Sequence, residues 1–314
     1  MIDAGEFFAR FPSSMTVRTR NRLITFSILA GPFIFFVCLM LFWDAEPLPP
    51  VWPLPHPNGY EDLVKAGKMI TGEPENYEQM NQAQLGKLIA SNKEPLEFLQ
   101  AALTNQCRVP LQFTQADMDN LLNELAGFKR LAQLQAAQGR FEEMNNRPDE
   151  AATSYLEIVN LGLKSAQGGV MLNQLVGMAI EKVGTSSLQK IVNSLDTKSC
   201  RKTVVTLEVL DAQGQNWNDV LQQEHNWSRR AFTGLRNELT RVISSRTIRK
   251  SEQDSEQAFK KNELKTHQLI IDLAARAYEL DKGQLPANLA DLVPNYLKAI
   301  PQDPFTGTNI VYLP

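Results

Sequence analysis

The sequence predicts a mostly α-helical protein with one N-terminal transmembrane helix, a proline-rich linker and a multi-helix outer domain ending in a small turn and strand element. Three observations carry this reading. Residues 23–43, LITFSILAGPFIFFVCLMLFW, form a run of 21 residues without a formal charge. The segment 46–59 then holds six prolines in fourteen residues. From Tyr60 onward apolar residues recur at helical spacing, broken by capping and turn residues.

The apolar run is long enough to span a bilayer, since a helix rises about 1.5 Å per residue and the hydrocarbon core is about 30 Å thick. Gly31 and Pro32 fall inside it, at positions that lipid-spanning helices tolerate. A cleaved signal peptide has a shorter apolar region and a small-residue cleavage site, whereas the exit here reads FWDAEP. Arg18, Arg20 and Arg22 precede the run, while Asp44 and Glu46 follow it with no Lys or Arg before Lys65. The positive-inside rule therefore expects residues 1–22 to be a cytoplasmic tail, residues 23–43 to contact membrane lipid, and the rest to lie outside the cytoplasm. Proline favours the extended polyproline II conformation, so residues 44–59 read either as a spacer holding the domain off the lipid or as an ordered strap along it.

The helical domain reads over 60–250, followed by 251–314 as a long helix with a C-terminal element. Asn58 and Gly59 form a turn pair before a first helix over 60–70. A second helix is expected over 77–91 and a third from Pro95 to about Cys107. Thr114 and Asp117 resemble a capping box that launches a long helix through Leu121, Leu125, Phe128, Leu131 and Phe141. Pro148 suits a first helical position, with Asp149 and Glu150 complementing the helix dipole, which makes an antiparallel hairpin with a short turn. Residues 170–192 read as the central buried helix, with Gly177 and Ala179 allowing close approach of a neighbour. Ser199 and Cys200 mark a loop, and 204–210 is a further helix or short strand. A long helix over 264–280 stops at Gly283, a short helix covers 286–293, and IVYL is expected to be a strand.

Composition excludes several classes. A chain of 314 residues with 43% hydrophobic residues can bury a sizeable core, and a net charge of −3 does not suit a protein built throughout to neutralise phosphate. No nucleic-acid partner is expected. The three cysteines and three histidines match no zinc spacing, so neither a metal nor a cofactor is expected. His225, beside Glu224, and His267 are the acid–base candidates of the outer domain. No GxSxG, HExxH or P-loop accompanies them, and catalysis is not expected.

Two further features need placing. Between residues 226 and 265 ten Lys or Arg stand against five Asp or Glu. Arg229, Arg230, Arg236 and Arg241 either contact an anionic surface or form a solvated helix face. Cys107 and Cys200 both lie on the oxidising side of the expected topology, where a disulfide between them would persist.

The ending AARAYELDKGQLPANLADLVPNYLKAIPQDPFTGTNIVYLP resembles the C-terminal part of type II secretion pseudopilins, in which a helix, a G-x-x-P segment and a P-x-D-P-x-x-G turn precede a small sheet. Together with PHPNGYEDLVKAGKMI and RPDEAATSYLEIVNLG, it is also similar to singly anchored bacterial proteins of the planctomycete type. The pseudopilin pattern is incomplete, because no prepilin cleavage motif or glutamate opens the apolar run. Asp303 is read as capping its turn. The expectation is a membrane-anchored protein with a structural or protein-interaction role at the cell envelope. The alternatives are a pseudopilin-related assembly component and a hydrolase of envelope polymers.

Overall fold

The computed structural model of the chain describes residues 30–35, 37, 52–111, 115–231 and 244–312. The chain divides into two units, Met1–Pro49 and Pro50–Pro314. In the first, residues 30–35 and 37 are helical, and Phe33, Ile34 and Phe35 are exposed. The remainder of the expected span 23–43 lies outside the described residues, and among the described residues no helix is long and apolar enough to cross a membrane.

The second unit is built from nine α-helices among its described residues: α1 (Gly59–Met69), α2 (Gln82–Ser91), α3 (Lys93–Thr104), α4 (Gln115–Met144), α5 (Pro148–Ala166), α6 (Met171–Ile191), α7 (Thr197–Asp211), α8 (Trp217–Ala231) and α9 (Ser245–Lys282). One apolar core runs from Tyr60 in α1 to Leu297 beyond α9. The long helix expected over 264–280 is part of α9, which starts earlier and crosses residue 250 without a break.

Local side-chain bonds set the helix starts. Asn58 is an N-cap rather than half of a turn: its side chain accepts from the Tyr60 amide and also exchanges hydrogen bonds with the backbone of Arg108. Gly59 is the first helical residue, because a Cβ there would lie 2.7 Å from Cys107 Sγ. Together with the contact of Arg108 to the Pro53 carbonyl, this makes residues 52–58 a strap against the helical body. The single helix expected over 77–91 is divided. Asn81 and Gln84 form a reciprocal capping box that starts α2 anew after a 3₁₀ turn at Pro74–Gln79. Fully buried Asn92 then closes α2, accepting from the Thr71 amide and donating to the Leu88 carbonyl.

The α4–α5 hairpin forms as expected, with Pro148 in the first turn of α5. Helix α5 packs chiefly on α6 and α4. The α5–α6 contact is a glycine seam: a Cβ on Gly162 would lie 2.6 Å from the Gly177 carbonyl, and one on Gly184 would lie 2.6 Å from the Tyr155 carbonyl. Ala179, expected at that contact, is exposed instead. Ser199 and Cys200 are not in a loop but in the first turn of α7, which Asp196 caps by accepting from the Ser199 amide at 2.7 Å. Of the two states open to Cys107 and Cys200, a bridge or two unpaired thiols, the structure has the second. Both thiols are buried and free, Cys107 against the end of α3 and Cys200 in α7.

Helix α9 stops at Gly283, whose φ of +72° provides the left-handed cap that glycine adopts without penalty. Beyond it the expected helix 286–293 shortens to one 3₁₀ turn, Leu289–Leu292, capped by Asn288. The expected strand is also corrected. Among the described residues IVYL contributes no strand, and the pairing is a lone bridge between Gln302 and Asn309, as flanking prolines 301 and 304 lack amide donors. Asp303 caps its turn as expected, accepting from the Phe305 amide. Leu292, Tyr296 and Leu297 pack into the core, whereas Phe305 is exposed. Tyr296 stacks edge-on against Tyr278 at 5.4 Å and donates to Asp281.

These contacts rank the consequences of substitution. Gly177→Ala would drive a Cβ to 2.7 Å from the Gly162 carbonyl and 2.8 Å from the Ala166 Cβ. It is expected to cost about 1–3 kcal/mol. Tyr296→Ala removes a buried ring and is expected to cost about 3–5 kcal/mol. Ala179→Ser, on the exposed face, should stay within about 0.5 kcal/mol of the parent. Urea unfolding of the full chain in detergent checks all three.

Candidate functional site

A cavity of about 450 Å³ opens between α5, α6, α7, α8 and α9. Its chemistry comes from residues far apart in sequence: Glu181 of α6, Asp211 at the end of α7, Gln215 in the following loop, Trp217 at the start of α8, and Phe259 and Glu263 of α9.

Glu181 stands where α6 crosses the glycine seam. A Cβ on Gly162 would lie 2.5 Å from Glu181 Cγ, so the missing side chain on α5 is what gives this carboxylate its position. Asn262 of α9 donates to Glu181 Oε2 at 2.8 Å. Burial pushes the Glu181 carboxyl up to about 7; the Asn262 bond opposes the shift and the nearby Asp211 charge adds to it. Opposite it, Trp217 and Phe259 face each other with ring centroids 5.4 Å apart and planes tilted by 40°. Trp217 is only 6% exposed, and its indole N–H is buried without a hydrogen-bond partner among the described residues. Gln215 accepts from Gln174 Nε2 and from the Gly168 amide, which ties the loop after α7 to α6.

Glu256 is paired with Lys260 at 2.7 Å on the same helix. Glu263 is different: half-buried, it makes no hydrogen bond or ion pair to another described residue. Burial raises its pKa, with His267 and Lys260 opposing and Asp211 adding.

His267, the stronger sequence candidate, lies beside this cavity but is fully committed. Its Nδ1 is 2.8 Å from the Gln302 carbonyl and its Nε2 is 3.0 Å from Asp211 Oδ2. A carbonyl and a carboxylate both accept, so the surroundings favour the protonated ring, which donates from both nitrogens. Burial disfavours that charge, but the Asp211 bond and charge, the Gln302 bond and Glu263 outweigh it and raise the pKa above 6.5. The ring therefore clasps α7, α9 and the C-terminal segment together, with both nitrogens engaged.

The other sequence candidates lie elsewhere. His225 is 60% exposed and pairs with Glu252 at 2.9 Å across α8 and α9. Its neighbour Glu224 accepts from the Met171 amide, placing a carboxylate at the N-terminus of α6. Arg229 and Arg230 are half-buried in the last turn of α8. Arg236 and Arg241 lie outside the described residues. No cluster of metal-ligating side chains occurs among the described residues. No family model, curated protein or solved structure matches this chain.

The clasp and the buried acid give stability a defined pH dependence. Both groups have folded-state values above those of the unfolded chain, so protonation favours folding. Glu181 contributes fully below about pH 4.5 and loses its contribution as pH rises to about 7. His267 contributes fully below about pH 6.5 and loses its contribution as pH rises through its raised value. The melting temperature is expected to fall steadily from pH 5 to pH 8. Glu181→Gln should flatten the lower part of that fall and His267→Gln the upper part. Melting curves across this range that leave either variant parallel to the parent would exclude that residue as the source.

Proposed function

We propose that this chain is a single-pass membrane protein, N-terminus in the cytoplasm, whose helical domain lies outside and binds a protein partner at the cell envelope without catalysing a reaction. Anchoring is supported by the uncharged run 23–43, by the arginines before it, and by the exposed apolar side chains Phe33, Ile34 and Phe35.

The binding role rests on the chemistry of the cavity. Carboxylates, amides and an aromatic pair line it. A nucleophile with a free base does not accompany them, because both nitrogens of the nearest imidazole are engaged. Such a lining suits recognition by charge and hydrogen bonding.

A second reading is favoured by one observation, the carboxyl of Glu181 with its value near 7 close to Asp211. Two neighbouring carboxyl groups, one of them with a raised pKa, are what glycosidic bond cleavage uses, and they would make the domain a hydrolase of envelope polymers. The pseudopilin-related alternative instead requires proteolytic processing before the apolar run.

Protease added to spheroplasts is expected to digest the region beyond residue 43 and to spare a tag on Met1. The membrane-bound protein should keep its N-terminus intact, as read by mass analysis; cleavage ahead of an apolar residue would favour the pseudopilin-related alternative. Photo-crosslinking from the cavity rim in intact cells should give a discrete adduct with one protein. Release of soluble saccharides from envelope polymer, abolished by Glu181→Gln, would replace the binding role with the hydrolase reading.

A further inference from the structure

Helices α8 and α9 leave the core of the domain together. Residues 221–231 of α8 include none that is buried, and in α9 every residue from 245 to 254 is exposed except half-buried Glu252. At about 1.5 Å per residue, each helix runs some 15 Å outside the core. His225 and Glu252 bridge the two at 2.9 Å. Charge changes sign at that bridge. Toward the core the nearest charges are Asp219, Glu224, Asp254 and Glu256. Beyond it, residues 226–231 and 244–251 carry Arg229, Arg230, Arg246, Arg249 and Lys250 and no acidic side chain, in a chain whose net charge is −3.

A helix face that only keeps a chain in solution mixes signs at i,i+3 and i,i+4. Here Arg246 meets like charge at both spacings, in Arg249 and Lys250, and all three are exposed. The positive end of the α9 dipole stands beside them, and the ion pairs His225–Glu252 and Glu256–Lys260 do not involve them. An anionic surface would offset this repulsion.

We propose that the two-helix prong rests on the anionic phospholipid headgroups of the bilayer that anchors the chain. The choice of a bilayer rests on the anchored reading above. Residues 44–51 alone separate the apolar run from the strap at 52, and eight residues reach at most about 30 Å, which keeps lipid at high effective concentration around the domain. Weak contact then suffices. A basic residue near an anionic membrane strengthens attachment about fivefold. Ile248, 41% exposed, is the one large apolar side chain displayed among the described residues of the prong, so the contact is electrostatic rather than insertive.

The test places the full chain in phosphatidylcholine nanodiscs and measures flotation with added vesicles, made of phosphatidylcholine alone or of phosphatidylcholine mixed with phosphatidylglycerol. The parent should float with the anionic vesicles and not with the neutral ones, and should release as salt shortens the Debye length from about 30 Å to about 8 Å. Combined Arg246→Gln, Arg249→Gln and Lys250→Gln should weaken anionic binding at least about tenfold. Arg246→Lys with Arg249→Lys should bind like the parent, since a field of headgroups reads charge rather than guanidinium shape. Removing the same charge elsewhere, by Lys198→Gln, Lys202→Gln and Lys298→Gln, should change binding by less than about twofold. All these side chains are exposed, and melting curves matching the parent check that the fold is kept. Equal loss in the two triple variants, no loss in either, or equal flotation with neutral and anionic vesicles overturns the proposal. Prong-dependent capture on immobilised polyphosphate without binding to anionic vesicles overturns the lipid assignment in favour of another polyanion. A chain that alkaline carbonate leaves in native membranes, but whose vesicle binding ignores the prong variant, overturns this proposal alone. One that carbonate extracts, yet that binds vesicles through the prong, overturns the anchor alone.

Discussion

The glycine seam between α5 and α6 is the constraint on which the cavity depends. Gly162 and Gly177 each stand where a side chain of the other would have to go, and Gly184 continues the contact against Tyr155 and Val159. Close-packed interiors do not absorb an added methyl without displacement, so the seam fixes the separation of the two helices. That separation puts Glu181 directly over the backbone of α5. A carboxylate on the packed face of a helix would normally swing to the surface. Here the missing Cβ of Gly162 leaves a place for its stem, and Asn262 gives its carboxyl a donor.

The opposite wall depends on polar links to the C-terminal segment. His267 joins Asp211 to the Gln302 carbonyl, Asp281 joins Arg201 to the Tyr296 hydroxyl, and Glu208 accepts from the Lys298 amide. Each link crosses from α7 or α9 to residues beyond the helical bundle. Arg201 also lies over the Tyr296 ring at 4.4 Å, so one guanidinium serves an ion pair and an aromatic face together. The segment 296–302 therefore acts as a strut for α7 and α9, which is why Tyr296 is buried while Phe305, in the turn beyond it, stays exposed.

Long helices were legible in the sequence because their apolar spacing and their proline and glycine boundaries act within a few residues. Pro148, Gly283 and the run from Leu121 to Phe141 all mark what the structure contains. Errors fell where one side chain outcompeted the periodic pattern. Asn81 divides a helix, Asp196 starts one where a loop was expected, and Asn58 caps where a turn was expected. Small residues in α6 announced a close contact, but which of them made it depended on the angle of α5, and Gly184 rather than Ala179 shares it with Gly177. The cavity was nearly invisible for the same reason. Its members span residues 159–266 and form no local motif. Glu181, the first charge after a long uncharged stretch, was the one sequence signal.

His267 shows how far a residue type can mislead without its partners. As a lone histidine on a helix it invited an acid–base reading, yet the Gln302 carbonyl and Asp211 take up both ring nitrogens and make it a clasp. That bond gives Asp211 a partner and leaves Glu263, one helical turn from His267 on α9, without a direct partner among the described residues. The seam and the strut thus hold both walls of the cavity in place from within the fold.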